Sequence, residues 1–151
     1  MFSRARIAGV FCSILGAANL AVADVRAFSG ESGAKLYIQH APALAADAYI
    51  VKFEGRPSAW AGKPIKVQRQ ERPSSTRYVF EYEEKRGSRM KKLEYQMILG
   101  EGWELYYPEA PPHEKPLRFH RDEKLTEQSR KVDLVGEYKR SPYLPVVPKS
   151  P

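Results

Sequence analysis

Apolar and polar side chains alternate along most of the chain, in seven short runs that begin near residue 48. The runs cover residues 49–54, 65–68, 78–83, 93–99, 103–107, 117–119 and 132–138. A period of two places every second side chain on the same face of an extended strand. The pattern therefore predicts an all-β, mainly antiparallel domain whose strands have one buried and one wet face.

A two-residue loop joins the third and fourth runs and fixes how they pair. Gly87 stands first in the loop Gly87-Ser88, which suits a type II′ hairpin turn. The predicted pairs are Arg86 with Arg89, Tyr82 with Leu93, Phe80 with Tyr95 and Tyr78 with Met97. All the rings then fall on one face, which is the face that the alternation independently selects.

The next loop, Gly100-Glu101-Gly102, extends this hairpin into a three-stranded meander over residues 76–107. Its predicted pairs are Leu99 with Trp103, Met97 with Leu105 and Tyr95 with Tyr107. Val79, Ile98 and Tyr106 are apolar residues on the other face. We therefore expect other strands or a partner to cover part of that outer face.

The runs together predict a meander of six or seven strands curled into a small barrel, with a two-sheet sandwich as the second choice. The single β-rich domain is predicted at 48–140. Residues 24–47 are predicted as a lead-in segment, with one possible short helix near 42–48 because the stretch is rich in alanine and begins at Pro42. The prolines of 108–116 predict a long loop, and those of 141–151 predict an extended or disordered tail.

The first residues resemble a bacterial signal peptide. Arg4 and Arg6 precede an apolar run from Ile7 to Val22, and the small residues of Ala21-Val22-Ala23 suit a signal peptidase. A retained anchor is the alternative, but a span needs about 20 strongly apolar residues and this run is shorter. Cleavage after Ala23 is therefore predicted, which makes the protein periplasmic or secreted.

Cleavage changes the charge and the cysteine count. The net charge of the whole chain is +7, and loss of Arg4 and Arg6 leaves 23 basic and 18 acidic residues, a net charge of +5. Cys12, the sole cysteine, is lost with the leader. The mature domain therefore has no disulfide, and its apolar core must hold the fold alone.

Motifs that specify a reaction, a metal or a cofactor are absent from the sequence. His120-Arg121-Asp122-Glu123 is the one place where a histidine and carboxylates crowd together, and its arginine disfavours a bound cation. The mature chain has no cysteine nucleophile and no Gly-x-Ser-x-Gly elbow. We therefore predict no metal site and no cofactor, and we favour a protein that is not an enzyme.

Basic residues cluster at the tip of the predicted 78–99 hairpin: Lys85, Arg86, Arg89, Lys91 and Lys92. Such a cluster is usual on soluble surfaces and at strand edges, but it also attracts anionic partners over long range. Trp60, in a loop of small residues, is predicted either to cap one end of the barrel or to anchor a partner. Tyr106 and Tyr107, next to Pro108, present the same choice.

These features predict an exported, non-catalytic binding or interaction module that contacts a protein or an anionic envelope component. The candidate binding residues are Trp60, Arg86, Arg89, Lys91, Lys92 and Tyr106. Neither nucleic acid binding nor stable membrane insertion after cleavage is expected. One alternative is a barrel carrier of a small apolar ligand, with a cavity lined by Tyr78, Phe80, Tyr95 and Met97. A second alternative is a hydrolase with an unrecognised site.

Overall fold

The computed structural model describes residues 24–56, 60–100, 102–105 and 116–148, without the side chains of 146–148. Within these ranges the chain forms nine strands, two short α-helices and a 3-10 turn at Glu31–Gly33. The strands are β1 (Arg26–Gly30), β2 (Lys35–His40), β3 (Ala48–Glu54), β4 (Ile65–Arg72), β5 (Ser75–Arg86), β6 (Arg89–Leu99), β7 (Trp103–Leu105), β8 (Leu117–Arg121) and β9 (Val146–Pro148). The helices are α1 (Glu123–Gln128) and α2 (Leu134–Arg140).

Strands β1 to β8 form a closed up-and-down barrel, in which each strand is antiparallel to the next. β8 closes the barrel by pairing with β1, from Phe28 opposite Arg121 to Gly30 opposite Phe119. The predicted all-β small barrel is confirmed, with eight strands instead of six or seven. The sandwich alternative is wrong because the sheet closes on itself.

The register predicted for the β5–β6 hairpin is confirmed over its whole length. Tyr82 lies opposite Leu93 and Phe80 opposite Tyr95. Gly87 takes a φ of 61°, while Ser88 is not among the residues with positive φ, as a type II′ turn requires. The β6–β7 ladder also has the predicted register, with Leu99 opposite Trp103, and within the described residues it extends one pair further, to Ile98 and Glu104.

The barrel interior is a packed core of inward-facing side chains. Trp60 fills one end of it, with its ring 4.9 Å from Phe80, 5.7 Å from Tyr82 and 5.5 Å from Tyr95. Aliphatic side chains of β2, β3 and β4 and the sulfur-containing Met97 complete the packing. At this end the interior is therefore filled by the protein's own side chains.

The predicted lead-in at 24–47 is wrong, because β1 and β2 lie within it and form part of the barrel wall. β2 does not alternate because both of its faces are buried. Leu36 and Ile38 face the interior, while Tyr37 and Gln39 lie under the helices on the outside. The short helix predicted near 42–48 is also wrong, since these residues form turns that end in β3.

The last predicted strand, at 132–138, is wrong as well, because residues 134–140 form helix α2. Asp133 starts this helix by accepting a hydrogen bond from the Gly136 N–H (2.9 Å), and buried Gln39 accepts one from the Val135 N–H (3.1 Å). Leu134 packs with Ile50 in a second core between the helices and the outer faces of β1–β3. No helix among the described residues has the length and apolar composition to span a bilayer.

The C-terminal segment, residues 142–148, is extended as predicted, but its described part is ordered by contacts with β5, so the predicted disordered tail is wrong there. The Glu83 N–H donates to the Pro145 carbonyl oxygen (2.8 Å), and β9 then pairs with β5 in parallel. The predicted signal peptide and most of the proline-rich loop lie outside the described residues.

Candidate binding site at the barrel mouth

The up-and-down topology gives the barrel two different ends. The β2–β3, β4–β5 and β6–β7 connections lie at one end, which we call the mouth. The β1–β2, β3–β4 and β5–β6 connections lie at the other end, which Trp60 fills. The mouth holds a cavity of about 610 Å³, a volume within the usual range for small-molecule sites, and barrel mouths are common places for them.

Aromatic side chains line one wall of this cavity, in an unbroken series of ring contacts. Phe28 packs against Trp103, with ring centroids 4.2 Å apart. Trp103 stacks on Tyr78 at 5.4 Å, Tyr49 meets the Tyr78 ring edge-on at 5.3 Å, and His40 stacks on Tyr49 at 4.7 Å. All five residues border the cavity. His40 and Tyr49, at one end of the series, are half-buried and offer ring surface on which a planar ligand can stack, whereas Phe28, Tyr78 and Trp103 are buried.

Three arginines border the same cavity: Arg26, Arg69 and Arg121. They come from β1, β4 and β8, and each lies in the inward-facing phase of its strand. Asp24 is the one carboxylate among the lining residues. The lining therefore carries excess positive charge, and the low-dielectric walls of a cleft strengthen its attraction for an anion.

The three arginines differ in whether a glutamate neutralises their charge. Arg69 forms an ion pair with Glu71, and Arg121 forms one with Glu123 (2.6 Å). Neither glutamate borders the cavity. Arg26 has no ion pair within the described part of the chain. Arg26 is therefore the cation with the most capacity left for an incoming anion.

The cavity walls also offer neutral hydrogen-bond donors. Burial raises the pKa of the Tyr78 hydroxyl, and nearby Tyr49 raises it further, against the opposing effect of Arg69 and Arg26. The Tyr78 hydroxyl therefore stays protonated at neutral pH. The indole N–H of Trp103 is buried and has no acceptor among the described residues, which costs free energy in the folded state.

Trp60 is buried (1% exposed), and its ring packs among Phe80, Tyr82 and Tyr95 inside the barrel. This burial favours the capping role over the role of a binding anchor. The capping role is the one that fits the structure. Its end of the barrel is the end opposite the mouth.

The predicted basic residues Arg86, Arg89, Lys91 and Lys92 are all exposed at the hairpin tip, far along β5 and β6 from the mouth. The fold therefore does not bring them together with the mouth arginines. Their role in binding stays a prediction. Tyr106, the remaining predicted binding residue, lies outside the described residues.

The apolar carrier cavity predicted around Tyr78, Phe80, Tyr95 and Met97 is not formed. Phe80 and Met97 are buried in the packed core, and the Phe80 and Tyr95 rings are in contact at 5.1 Å. Of these residues, Tyr78 alone borders the mouth cavity. A purely apolar ligand therefore has no dry chamber in the described interior.

His120 and Asp122 do approach a third polar residue, but not in a catalytic arrangement. Ser29 is the strand partner of His120, and its hydroxyl donates directly to the Asp122 carboxylate (2.5 Å). In a nucleophilic triad the histidine stands between the serine and the acid, whereas here the serine proton goes to the acid. Among the residues described, no group of three His, Cys, Asp or Glu side chains could hold a metal ion.

Sequence reasoning missed the mouth residues Arg26, Tyr49, Arg69, Trp103 and Arg121 as a set. A usable signal was present for two of them. Arg69 lies on the same strand face as the apolar residues Ile65 and Val67, and Arg121 lies on the same face as Phe119. A basic residue on the otherwise apolar face of a strand, at the end of that strand, indicates either the edge of the core or a site that binds anions.

The chain matches no protein-family model, no curated protein and no solved structure. The proposed function therefore rests on the geometry of the mouth.

Proposed function

We propose that this chain is an exported, non-catalytic binding protein whose mouth holds a small anion with a planar aromatic or unsaturated body. The observation that carries the proposal is the placement of three arginines around a cavity walled by stacked aromatic rings. The proposal keeps the binding module expected from the sequence. It places the small-ligand site at the mouth and gives the ligand a charge that the apolar carrier hypothesis lacked.

The two halves of the ligand have separate places in the mouth. The planar body would stack on the half-buried Tyr49 and His40 rings, where burial of apolar area drives association. The acid group would lie toward Arg26, whose guanidinium offers several donors in a fixed fork and has no ion pair among the described residues. A carboxylate, sulfonate or phosphate monoester meets this requirement equally well.

A matched pair of fluorescent probes tests the proposal on the mature protein. 8-Anilinonaphthalene-1-sulfonate carries a sulfonate on an aromatic body, and N-phenyl-1-naphthylamine is its uncharged counterpart. We expect the sulfonate probe to bind, and Arg26→Gln to weaken its binding by about tenfold, the effect of losing one charge-assisted hydrogen bond of about 1.4 kcal/mol. The uncharged probe should bind more weakly and respond little to the substitution.

Arg118→Gln is the matched control. It removes one cation from the same barrel wall, but Arg118 lies on the outer face of β8 opposite Glu104. Its binding of the sulfonate probe should equal that of the wild type. Equal losses in the two variants, or equal affinity of the wild type for both probes, would show that general charge or general hydrophobicity explains the binding, and the proposed site would be wrong.

A further inference from the structure

The distal part of the β5–β6 hairpin projects beyond the barrel wall. β4 pairs with β5 up to Val79, and β7 pairs with β6 from Ile98 onward. Beyond these points the hairpin strands pair, among the described residues, with each other and with β9, which adds to β5 at Glu83–Lys85. We call residues 83–92 the ribbon. Its tip, Gly87-Ser88, lies at the end of the barrel opposite the mouth.

Charge is strongly polarised along the ribbon. Residues 85–92 include five cations, all exposed, and no acid: Lys85, Arg86, Arg89, Lys91 and Lys92. The acids of the same two strands lie nearer the barrel: Glu81, Glu83, Glu84 and Glu94. The tip therefore presents a concentrated positive potential, which Glu83 (opposite Lys92) and Glu84 (opposite Lys91) neutralise only in part.

The pairing at the tip places like charges face to face. Arg86 lies directly opposite Arg89 in the ladder, an arrangement that destabilises a hairpin. Arg86 is compensated by Glu84, at 2.6 Å. Arg89 has no ion pair among the described residues. An external anion at the tip would relieve the repulsion between the two arginines.

An apolar side chain lies among these cations. Met90, opposite Lys85, is 49% exposed and is the most exposed large hydrophobic residue among those described. An exposed apolar residue ringed by cations suits the boundary between lipid head groups and acyl chains, where burial of the side chain and attraction to anionic head groups act together.

We propose that the ribbon tip docks on an anionic phospholipid bilayer. The cations lie on both faces of the ribbon, with Lys85 and Lys92 on one face and Arg86, Arg89 and Lys91 on the other. A protein partner covers one face of a ribbon, whereas head groups surround an inserted tip and reach both faces. The distribution of charge therefore favours a bilayer over an acidic protein.

Docking through the ribbon leaves the proposed ligand site free. The mouth is at the other end of the barrel and turns toward water when the tip contacts a surface. The bilayer proposal is therefore independent of the proposed small-ligand function. Either one can fail without the other.

Co-sedimentation of the mature protein with vesicles tests the docking. The vesicles are pure phosphatidylcholine or phosphatidylcholine with phosphatidylglycerol, at low and at physiological salt. We expect binding to the anionic vesicles that weakens as salt rises. Lys91→Gln with Lys92→Gln should lower the partition coefficient by about 25-fold, at about fivefold per cation, and Met90→Ser should lower it by about threefold.

Lys124→Gln with Lys131→Gln is the matched control, since it removes the same charge from exposed positions in and after α1, which follows the mouth end of β8. This control should bind anionic vesicles as the wild type does. Equal losses in the two double variants, equal binding to pure phosphatidylcholine, or a ribbon-dependent affinity for soluble polyglutamate that exceeds the affinity for vesicles would each overturn the proposal. Binding of the sulfonate probe by the Lys91 and Lys92 variant should be unchanged.

Discussion

The Asp122 carboxylate joins two strands and a helix at a single point. One of its oxygens accepts from the Ser29 hydroxyl of β1 (2.5 Å), and the other accepts from the Leu125 N–H at the start of α1 (2.9 Å). These two hydrogen bonds favour the ionised form and hold the pKa of Asp122 below its ordinary value. The helix that follows β8 is thereby attached to the first strand of the barrel.

This lowered pKa predicts an acid-sensitive contribution to stability. A carboxyl whose pKa is lower in the folded state stabilises the fold above the unfolded pKa of about 3.9, and the contribution is lost as the pH falls through the folded pKa. Asp122→Asn keeps a good helix cap but removes the charge. The wild type should therefore exceed the variant in free energy of unfolding at neutral pH, and the difference should shrink in acid.

Urea denaturation of both proteins at neutral pH and at successively lower pH measures this difference. A difference that stays constant across the acid range would mean that Asp122 acts through its shape alone. Its ionisation would then contribute nothing to the fold.

Individual mouth residues were only partly predictable. The predicted register placed the side chains of Tyr78 and Trp103 on the face of the sheet that turns toward the barrel interior. The structure confirms this register. Arg26 gave no such signal, because β1 itself was not recognised. Arg26 joins the other mouth residues only because β8 pairs with β1 and closes the barrel.

At the scale of elements, strands with one exposed face could be predicted from the sequence, whereas a strand buried on both faces could not. β5 and β6 have one wet face over most of their length, so they alternate and were found with the correct register. β2 is buried on both faces and reads as a continuous apolar run, which does not separate strand from helix. The stretch 132–138 fits both periods, and the Asp133 cap and the contact of Leu134 with the second core decide for a helix.

The C-terminal segment replaces a missing strand neighbour. β4 separates from β5 beyond Val79, and residues 142–145 lie along the gap beside Phe80. Tyr143 packs against the barrel core there, while the adjacent Leu144 is 45% exposed. The segment therefore covers the core where β4 and β5 separate, with Tyr143 packed inward and its neighbour Leu144 exposed.

Tyr143→Ala should destabilise the protein by about 1–3 kcal/mol, the usual cost of removing a large side chain from a packed position. Leu144→Ala, its neighbour, should change stability by less than about 0.5 kcal/mol. Chemical denaturation of both variants gives the two values. Similar effects at the two positions would show that the segment does not seal the core.

At the scale of the whole molecule, the sequence predicted the meander but not where it closes. Each hairpin is local and leaves a signal in its turn, whereas β1 and β8 are joined across some 90 residues of intervening chain, from Ser29 opposite His120. No local pattern encodes that pairing. The closure is nevertheless what places the mouth and the ribbon tip at opposite ends of the barrel.

Processing of the leader is a prediction that the described residues do not test. Protein recovered from the periplasm of an expressing bacterium should have the intact mass of residues 24–151. It should also show no reactive thiol in the denatured state, because Cys12 leaves with the leader. A mass that includes residues 1–23, together with one titratable thiol, would mean that the leader is retained.

Asp24 borders the mouth cavity and is also the residue that follows the predicted cut. Hydrolysis of the Ala23–Asp24 peptide bond would convert a neutral amide into an α-ammonium group, at a residue that borders the same cavity as the three arginines. The predicted cleavage would thus add one positive charge to the mouth of the mature protein, in the direction that favours an anionic ligand.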